Sequence, residues 1–278
     1  MARFIAFITL VSIFNFGIRA QEPEISVASD EQKNLGTDGI TLNGFTRGSI
    51  YGASDKYDFT AVFAEFCLQG KYSQGNAYLY SDIRLRSGLF FDDYNSHVQI
   101  KEAYAGYSSE KIDAFVGNQI VNWGRADGFN PTNNITPNDY FFLSSDPDDQ
   151  KMANFMIRTR SRLTSVTDIE LIGIPFYTPS VYRYELFDLG DFVHFNPPIL
   201  PGRKFKNGSY AARFNIELPE IGFSLSWFRG YDPFHGYTVQ GIDWSGGYPY
   251  VINSPVPYLK KTAGADFALP LDSWIVRG

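Results

Sequence analysis

Arginine recurs at every second position in Arg158, Arg160 and Arg162, a spacing that puts all three guanidinium groups on one face of an extended chain. Arg84, Arg86, Lys101 and Arg213 occupy the polar sides of other alternating segments, so the seven together are candidates to line a pore that attracts anions. The opposing reading pairs these cations with Asp82, Glu102, Asp168, Glu170 or Glu217 and leaves little net field. Asp146, Asp148 and Asp149 carry oxygens of the kind a hard cation takes, but the segment lacks the spacing and glycine of a calcium loop, and a solvated or salt-bridged loop is the stronger reading. Asp232, His235 and Ser245 have the side chains of a hydrolytic constellation. No nucleophile elbow or well-placed base accompanies them, and no catalytic residue is assigned. One cysteine, Cys67, and three scattered histidines, His97, His194 and His235, suggest neither a disulfide nor a metal cluster, and no cofactor is expected.

The elements that must position these residues are strands. In residues 76–90, Ala77, Leu79, Ser81, Ile83, Leu85 and Leu89 alternate with Tyr78, Tyr80, Asp82, Arg84 and Arg86, so one side is oily and the other charged. The pattern returns at 153–163, where Phe155, Ile157 and Leu163 oppose Asn154 and the three arginines, and at 208–218, where Tyr210, Ala212, Phe214, Ile216 and Leu218 oppose Ser209, Arg213, Asn215 and Glu217. Weaker candidates at 40–50, 58–70, 97–107, 112–121, 168–174, 221–229, 262–269 and from 273 onward bring the expected strands to eleven. No apolar run after the first twenty residues reaches eighteen, so no membrane helix is expected.

The first twenty residues look like an address. Arg3 precedes an apolar run from Phe4 to Phe14, and a small residue, Ala20, marks the preferred cleavage site of a secretory signal peptide. Loss of Arg3 and Arg19 takes the 24 basic residues to 22 against 30 acidic ones, a net charge of −8, which argues against a nucleic-acid partner. A polar segment, 21–38, follows, and the strands occupy 39–278.

Connections fall into two alternating classes. Short ones cover 71–75, 108–111, 164–167, 219–220 and 270–272; the others cover 52–57 and 91–96, then three long loops at 122–152, 175–207 and 230–261. A compact soluble domain seldom holds three such loops without structure, whereas an outer-membrane β-barrel alternates short periplasmic turns with long outer loops. The expected fold is therefore all-β, an antiparallel transmembrane β-barrel of the outer-membrane type. Tyr51, Tyr57, Phe90, Phe91, Tyr94, Tyr107, Phe141, Phe142, Phe176, Tyr177 and Phe228 fall near strand ends, where aromatic girdles sit, which fits an aromatic content of 17%. Barrels of this type have even strand numbers, so eleven predicts a C-terminally incomplete one.

The segment Gly117, Gln119, Val121, Trp123, Gly124, Asp127, Gly128, Asn130, Pro131, Asn133 and Pro137 resembles a motif of a poorly characterised family of porin-like outer-membrane β-barrels, a domain of unknown function similar in style to alginate-export and other substrate-selective porins. The stretch from Trp227 to Gly236 and the closing run from Asp272 to Gly278 are also similar to that family. The resemblance implies a barrel in the outer membrane of a Gram-negative bacterium, surrounded by lipid and delivered by the barrel-insertion machinery. Within the motif, Trp123, Gly124, Arg125, Asp127, Gly128, Asn130, Pro131 and Asn133 are expected to build an ordered loop that is structural or forms a constriction. The expected function is passive or weakly selective passage of small polar or anionic solutes. A plugged barrel that displays its loops for binding is the alternative, and an outer-membrane hydrolase the third reading.

Overall fold

A computed structural model describes residues 8–10, 38–52, 59–91, 93–125, 131–184, 192–245, 247, 249–271 and 274–278. Most of the expected signal peptide and polar segment, the motif positions Asp127, Gly128 and Asn130, and Tyr57 lie outside the described residues. The chain divides into two compact units, residues 1–108 with 142–150 and residues 109–141 with 151–278. No helix among the described residues is long and apolar enough to cross a membrane.

The first unit is an antiparallel ladder. A three-residue strand, β1 (Ile8–Leu10), pairs with the end of β2 (Gly39–Gly52), and β2, β3 (Phe59–Gln74), β4 (Ala77–Phe90) and β5 (Asp93–Ser108) then pair in chain order. Gln74 pairs with Ala77 across a two-residue turn whose first residue, Gly75, has φ +58°, the left-handed value that a type II′ turn needs at that position. The Gly75 N–H donates to Asp38 Oδ1 at 2.7 Å, fixing the turn beside the start of β2.

The second unit holds β6 (Ile112–Gln119), β7 (Asn154–Arg162), β8 (Thr167–Ile174), β9 (Val193–Phe195), β10 (Ser209–Glu217), β11 (Gly222–Tyr231), β12 (Gly236–Asp243), β13 (Tyr250–Val256), β14 (Leu259–Leu271) and β15 (Trp274–Arg277). Seven of them pair antiparallel in the order β6, β7, β8, β10, β11, β14, β15. The other three form a separate small sheet in which β12 and β13 make an antiparallel hairpin and β9 lies parallel to β13.

The protein is all-β, and each of the eleven expected strands has a counterpart in β2 to β8, β10, β11, β14 and β15. Two expectations about the connections need correction. The anticipated 91–96 loop is two residues long, because Phe90 pairs with Asp93 and the ladder runs on through Tyr94, Asn95 and Ser96. Across the hairpin Ser87 Oγ lies 2.6 Å from Ser96 Oγ and 3.1 Å from the Tyr94 hydroxyl. Phe91 adopts φ +48° to close the turn, an uncommon conformation for a residue with a Cβ. The second and third long loops are not structureless either: they contribute β9, β12 and β13, whose mutual ladder accounts for backbone groups that an irregular loop would leave to solvent.

Burial within the ladders is inverted. Ile40 is 73% exposed, Val98 66% and Ile157 56%, with Leu42, Leu79, Leu85, Ile100, Phe155, Leu171 and Leu225 also on the outside. Glu65 and Asp266 are each 2% exposed and Asp113 1%, and Asp82, Arg84, Arg86, Lys101, Asp168 and Glu170 are buried as well. The period-two pattern is as expected, and its polar side is the enclosed one.

Candidate functional site

In the first unit the polar face of the ladder carries a charge cluster set by strand register. Arg47 of β2 is the direct cross-strand partner of Glu65 on β3, and Glu65 is in turn the partner of Arg86 on β4. The Glu65 carboxylate therefore accepts from both, from Arg47 Nη2 at 2.9 Å and from Arg86 Nε. Four residues along, Asp82 accepts from Arg84 Nε at 3.1 Å and from Gln69 Nε2 at 2.9 Å, and the buried thiol of Cys67 lies beside it at 3.5 Å.

A segment remote in sequence, residues 142–150, docks on this face. Phe142 enters an apolar cluster with Tyr51, Ala61 and Phe63, while the Arg86 guanidinium stacks 3.9 Å from the centre of its ring. The chain then turns through Ser144 and Asp146, whose side chains cap the backbone N–H groups of Asp146 and Asp148, into a single 3-10 turn, Pro147–Gln150. The Asp149 carboxylate accepts from Arg47 Nη1 at 2.7 Å, Arg84 Nη1 at 2.6 Å and Ser144 Oγ at 2.6 Å. Lys101 Nζ donates to the main-chain oxygens of Asp148 and Asp149, at 3.0 and 2.7 Å. Asp149 thus anchors a salt-bridged loop, and no group of acidic, histidine or cysteine side chains among the described residues is arranged to hold a metal ion.

Burial by itself would raise the Asp149 pKa, but the hydrogen bonds from Ser144 and Arg84 and the charge of Arg47 prevail and hold it down to about 2. A carboxylate with a depressed folded-state pKa contributes stability that is complete above its unfolded value, near 4, and is lost as pH falls through the folded value. The difference in melting temperature between the wild type and Asp149→Asn should accordingly be constant from neutral pH to about 4 and shrink on acidification toward about 2. A difference that did not change over that interval would mean that the carboxylate charge does not hold the segment.

The second unit has its own cluster. Arg158 pairs with Glu170, Arg160 Nη2 with Asp168 Oδ2 at 2.8 Å, and Arg162 Nη2 with Asp113 Oδ2 at 2.5 Å. Arg213 Nη2 meets Asp266 Oδ1 at 3.1 Å, and Ser224 Oγ donates to the same carboxylate at 2.5 Å. The described part of the motif loop lies across this face. Trp123 is buried with Val121, Ile135, Met156, Ile172, Ile174, Ala211 and Phe228, and its indole N–H donates to Glu170 Oε2 at 2.6 Å. Thr136 Oγ1 donates to the Val121 carbonyl at 2.6 Å, and Asn154 Nδ2 donates to the Ile135 carbonyl at 2.7 Å, so the loop is fixed at both ends of its apolar core. Arg125 then spans two strands, bonded to Glu217 of β10 and, at 2.5 Å, to Asp266 of β14.

The seven candidate lining residues therefore form two sets, Arg84, Arg86 and Lys101 in one unit and Arg158, Arg160, Arg162 and Arg213 in the other. An uncompensated basic ladder is not what the structure contains. In the second unit five arginines, Arg125 included, face the five carboxylates of Asp113, Asp168, Glu170, Glu217 and Asp266. Arg47, Glu65, Asp113 and Asp266 are the partners that the sequence reading did not single out, and all four sit on the polar side of a strand, so the alternation itself held that signal. Asp149 was singled out there, and its salt bridges agree with the salt-bridged loop rather than the cation site.

The candidate hydrolytic residues are not assembled. The Asp232 carboxylate accepts from Lys260 Nζ at 2.5 Å and from the Tyr258 hydroxyl at 2.8 Å, and Ser245 contributes its backbone N–H to Asp243. His235 is buried against Phe234 and Tyr237, its Nε2 has no partner among the described residues, and burial lowers its pKa. Tyr140, Tyr182, Tyr184, Phe195, Phe234 and Tyr237 link through ring contacts around it into one aromatic cluster built from all three long loops. No family model matches the chain, and no curated protein matches it.

Proposed function

We propose that the chain is a porin-like β-barrel of a Gram-negative outer membrane, exported by the expected leader, inserted by the barrel machinery and passing small polar solutes with weak charge selectivity. The inversion of burial carries this reading. A chain surrounded by water on its strand faces would not leave Ile40, Val98 and Ile157 outside while enclosing Glu65, Asp113 and Asp266. Surrounded by hydrocarbon, the same arrangement is the stable one, since strands satisfy their backbone groups in ladders and present an apolar belt to lipid. Charge compensation moves the expected selectivity from anionic toward neutral polar solutes, because paired arginines and carboxylates present little net field. The segments 142–150 and 120–125, each packed on a polar face, are the constrictions in this reading.

Purified full-length chain incorporated in planar bilayers is expected to give stepwise conductance with a cation-to-anion permeability ratio within about threefold of unity, as a compensated lining implies. Folded, inserted protein that conducts nothing would overturn the channel. The aromatic cluster and the β9–β12–β13 sheet support the second reading, in which ordered outer loops display a binding surface. In that case ligand capture without conductance is the expected outcome.

A further inference from the structure

We propose that Arg47, Arg84, Arg86 and Lys101 form a carboxylate-binding site, that Asp149 is its tethered occupant, and that a small solute bearing a carboxylate takes its place. That a solute reaches the site rests on the channel reading; the site and its occupant rest on the geometry of the first unit alone. Around the docked segment the polar face of β2 to β5 sets these four cations against three carboxylates, Glu65, Asp82 and Glu102, the last being the cross-strand partner of Asp82. Without Asp149 this cluster carries an excess of one positive charge. Asp149, which belongs to no strand and arrives on a docked segment, brings the sum to zero.

Its contacts are those a free carboxylate would seek, with two guanidinium groups on separate oxygens and a hydroxyl on one of them. The donors are also in surplus. Arg86 is buried with Nε committed to Glu65 and Nη1 to Gln99 Oε1 at 2.7 Å, yet its Nη2 has no hydrogen-bond partner among the described residues. The Nε of Arg47 is likewise buried without one. A buried N–H without an acceptor is costly, and one aspartate held on a short turn does not reach all of these donors. A solute carboxylate with freedom to reorient meets the same charge and supplies acceptors that the tethered group does not.

Tethering places Asp149 at an effective concentration in the millimolar range, so it competes strongly with a weakly bound solute. Asp149→Ala removes that competitor. Thermal unfolding of the purified full chain in detergent, with sodium acetate against sodium chloride at equal ionic strength, reads the site directly. In Asp149→Ala acetate should raise the melting temperature with half-saturation at least about tenfold below that of the wild type, and the added change Arg84→Gln should abolish the effect. Asp149→Asn, which keeps the shape of the segment and removes the charge, carries the same test should the alanine variant not fold, with the same selectivity for acetate. Equal responses to acetate and chloride in the variant would overturn the site. The assay needs no pore: acetate selectivity without conductance would retain the site and remove the channel, and conductance without acetate selectivity would do the reverse.

Discussion

Glu65→Ala is expected to destabilise the protein by about 3–5 kcal/mol, the cost of removing one partner from a buried charge network. The reason lies in register. Glu65 stands between Arg47 and Arg86 on adjacent strands, accepts from both, and lies 3.8 Å from a third guanidinium nitrogen, that of Arg84. Its loss leaves three guanidinium groups on one face with Asp82 and Asp149 as the nearest carboxylates, and Arg86 without the acceptor for its Nε. Glu65→Gln keeps the volume and one acceptor oxygen, so it should cost less than the alanine change although it removes the charge. Urea titration of the folded protein in phospholipid vesicles, followed by tryptophan fluorescence, gives both numbers. A cost below about 1 kcal/mol for Glu65→Ala would show instead that water reaches the cluster and screens it as it does a surface pair.

The strands were legible because alternation is a local property. Residues 76–90 announce β4 through Ala77, Leu79, Ile83, Leu85 and Leu89 alternating with Tyr78, Tyr80, Asp82, Arg84 and Arg86, and the structure places the strand at Ala77–Phe90. Where polar residues are strand rather than turn, the same logic fails: Tyr94, Asn95 and Ser96 resemble a loop in composition, and only pairing with Ser87, Gly88 and Leu89 makes them extended. The small sheet was missed for a related reason, since β9 is three residues long and has no period to detect. Site residues divide in the same way. Arg158, Arg160 and Arg162 declare themselves by spacing, but what each meets depends on the register between strands, which one sequence does not state. Asp149 is the extreme case: its partners Arg47 and Arg84 are about a hundred and about sixty-five positions away, and nothing local separates it from the solvated Asp146 and Asp148 beside it.

The largest contrast between a membrane and a water-exposed surface is expected at Ile157. It is the fourth of nine residues in β7, opposite in facing to Arg158, and 56% exposed. On a protein surrounded by water, Ile157→Arg is a surface change worth no more than about 0.5 kcal/mol in either direction. At the middle of a lipid-facing strand the same change forces a guanidinium into hydrocarbon at a cost of about 2–4 kcal/mol, falling to about 0–1 near the interfaces. Leu163, just past the end of β7 and also exposed, supplies the depth control, and Leu163→Arg should cost at least about 1 kcal/mol less than Ile157→Arg. Both variants leave the ion pairs of Arg158, Arg160 and Arg162 in place, so the comparison isolates the surrounding medium from the charge network. Urea titrations in vesicles measure the two costs. If both substitutions proved neutral in lipid, the apolar face of the second unit would have to be covered by something other than a bilayer.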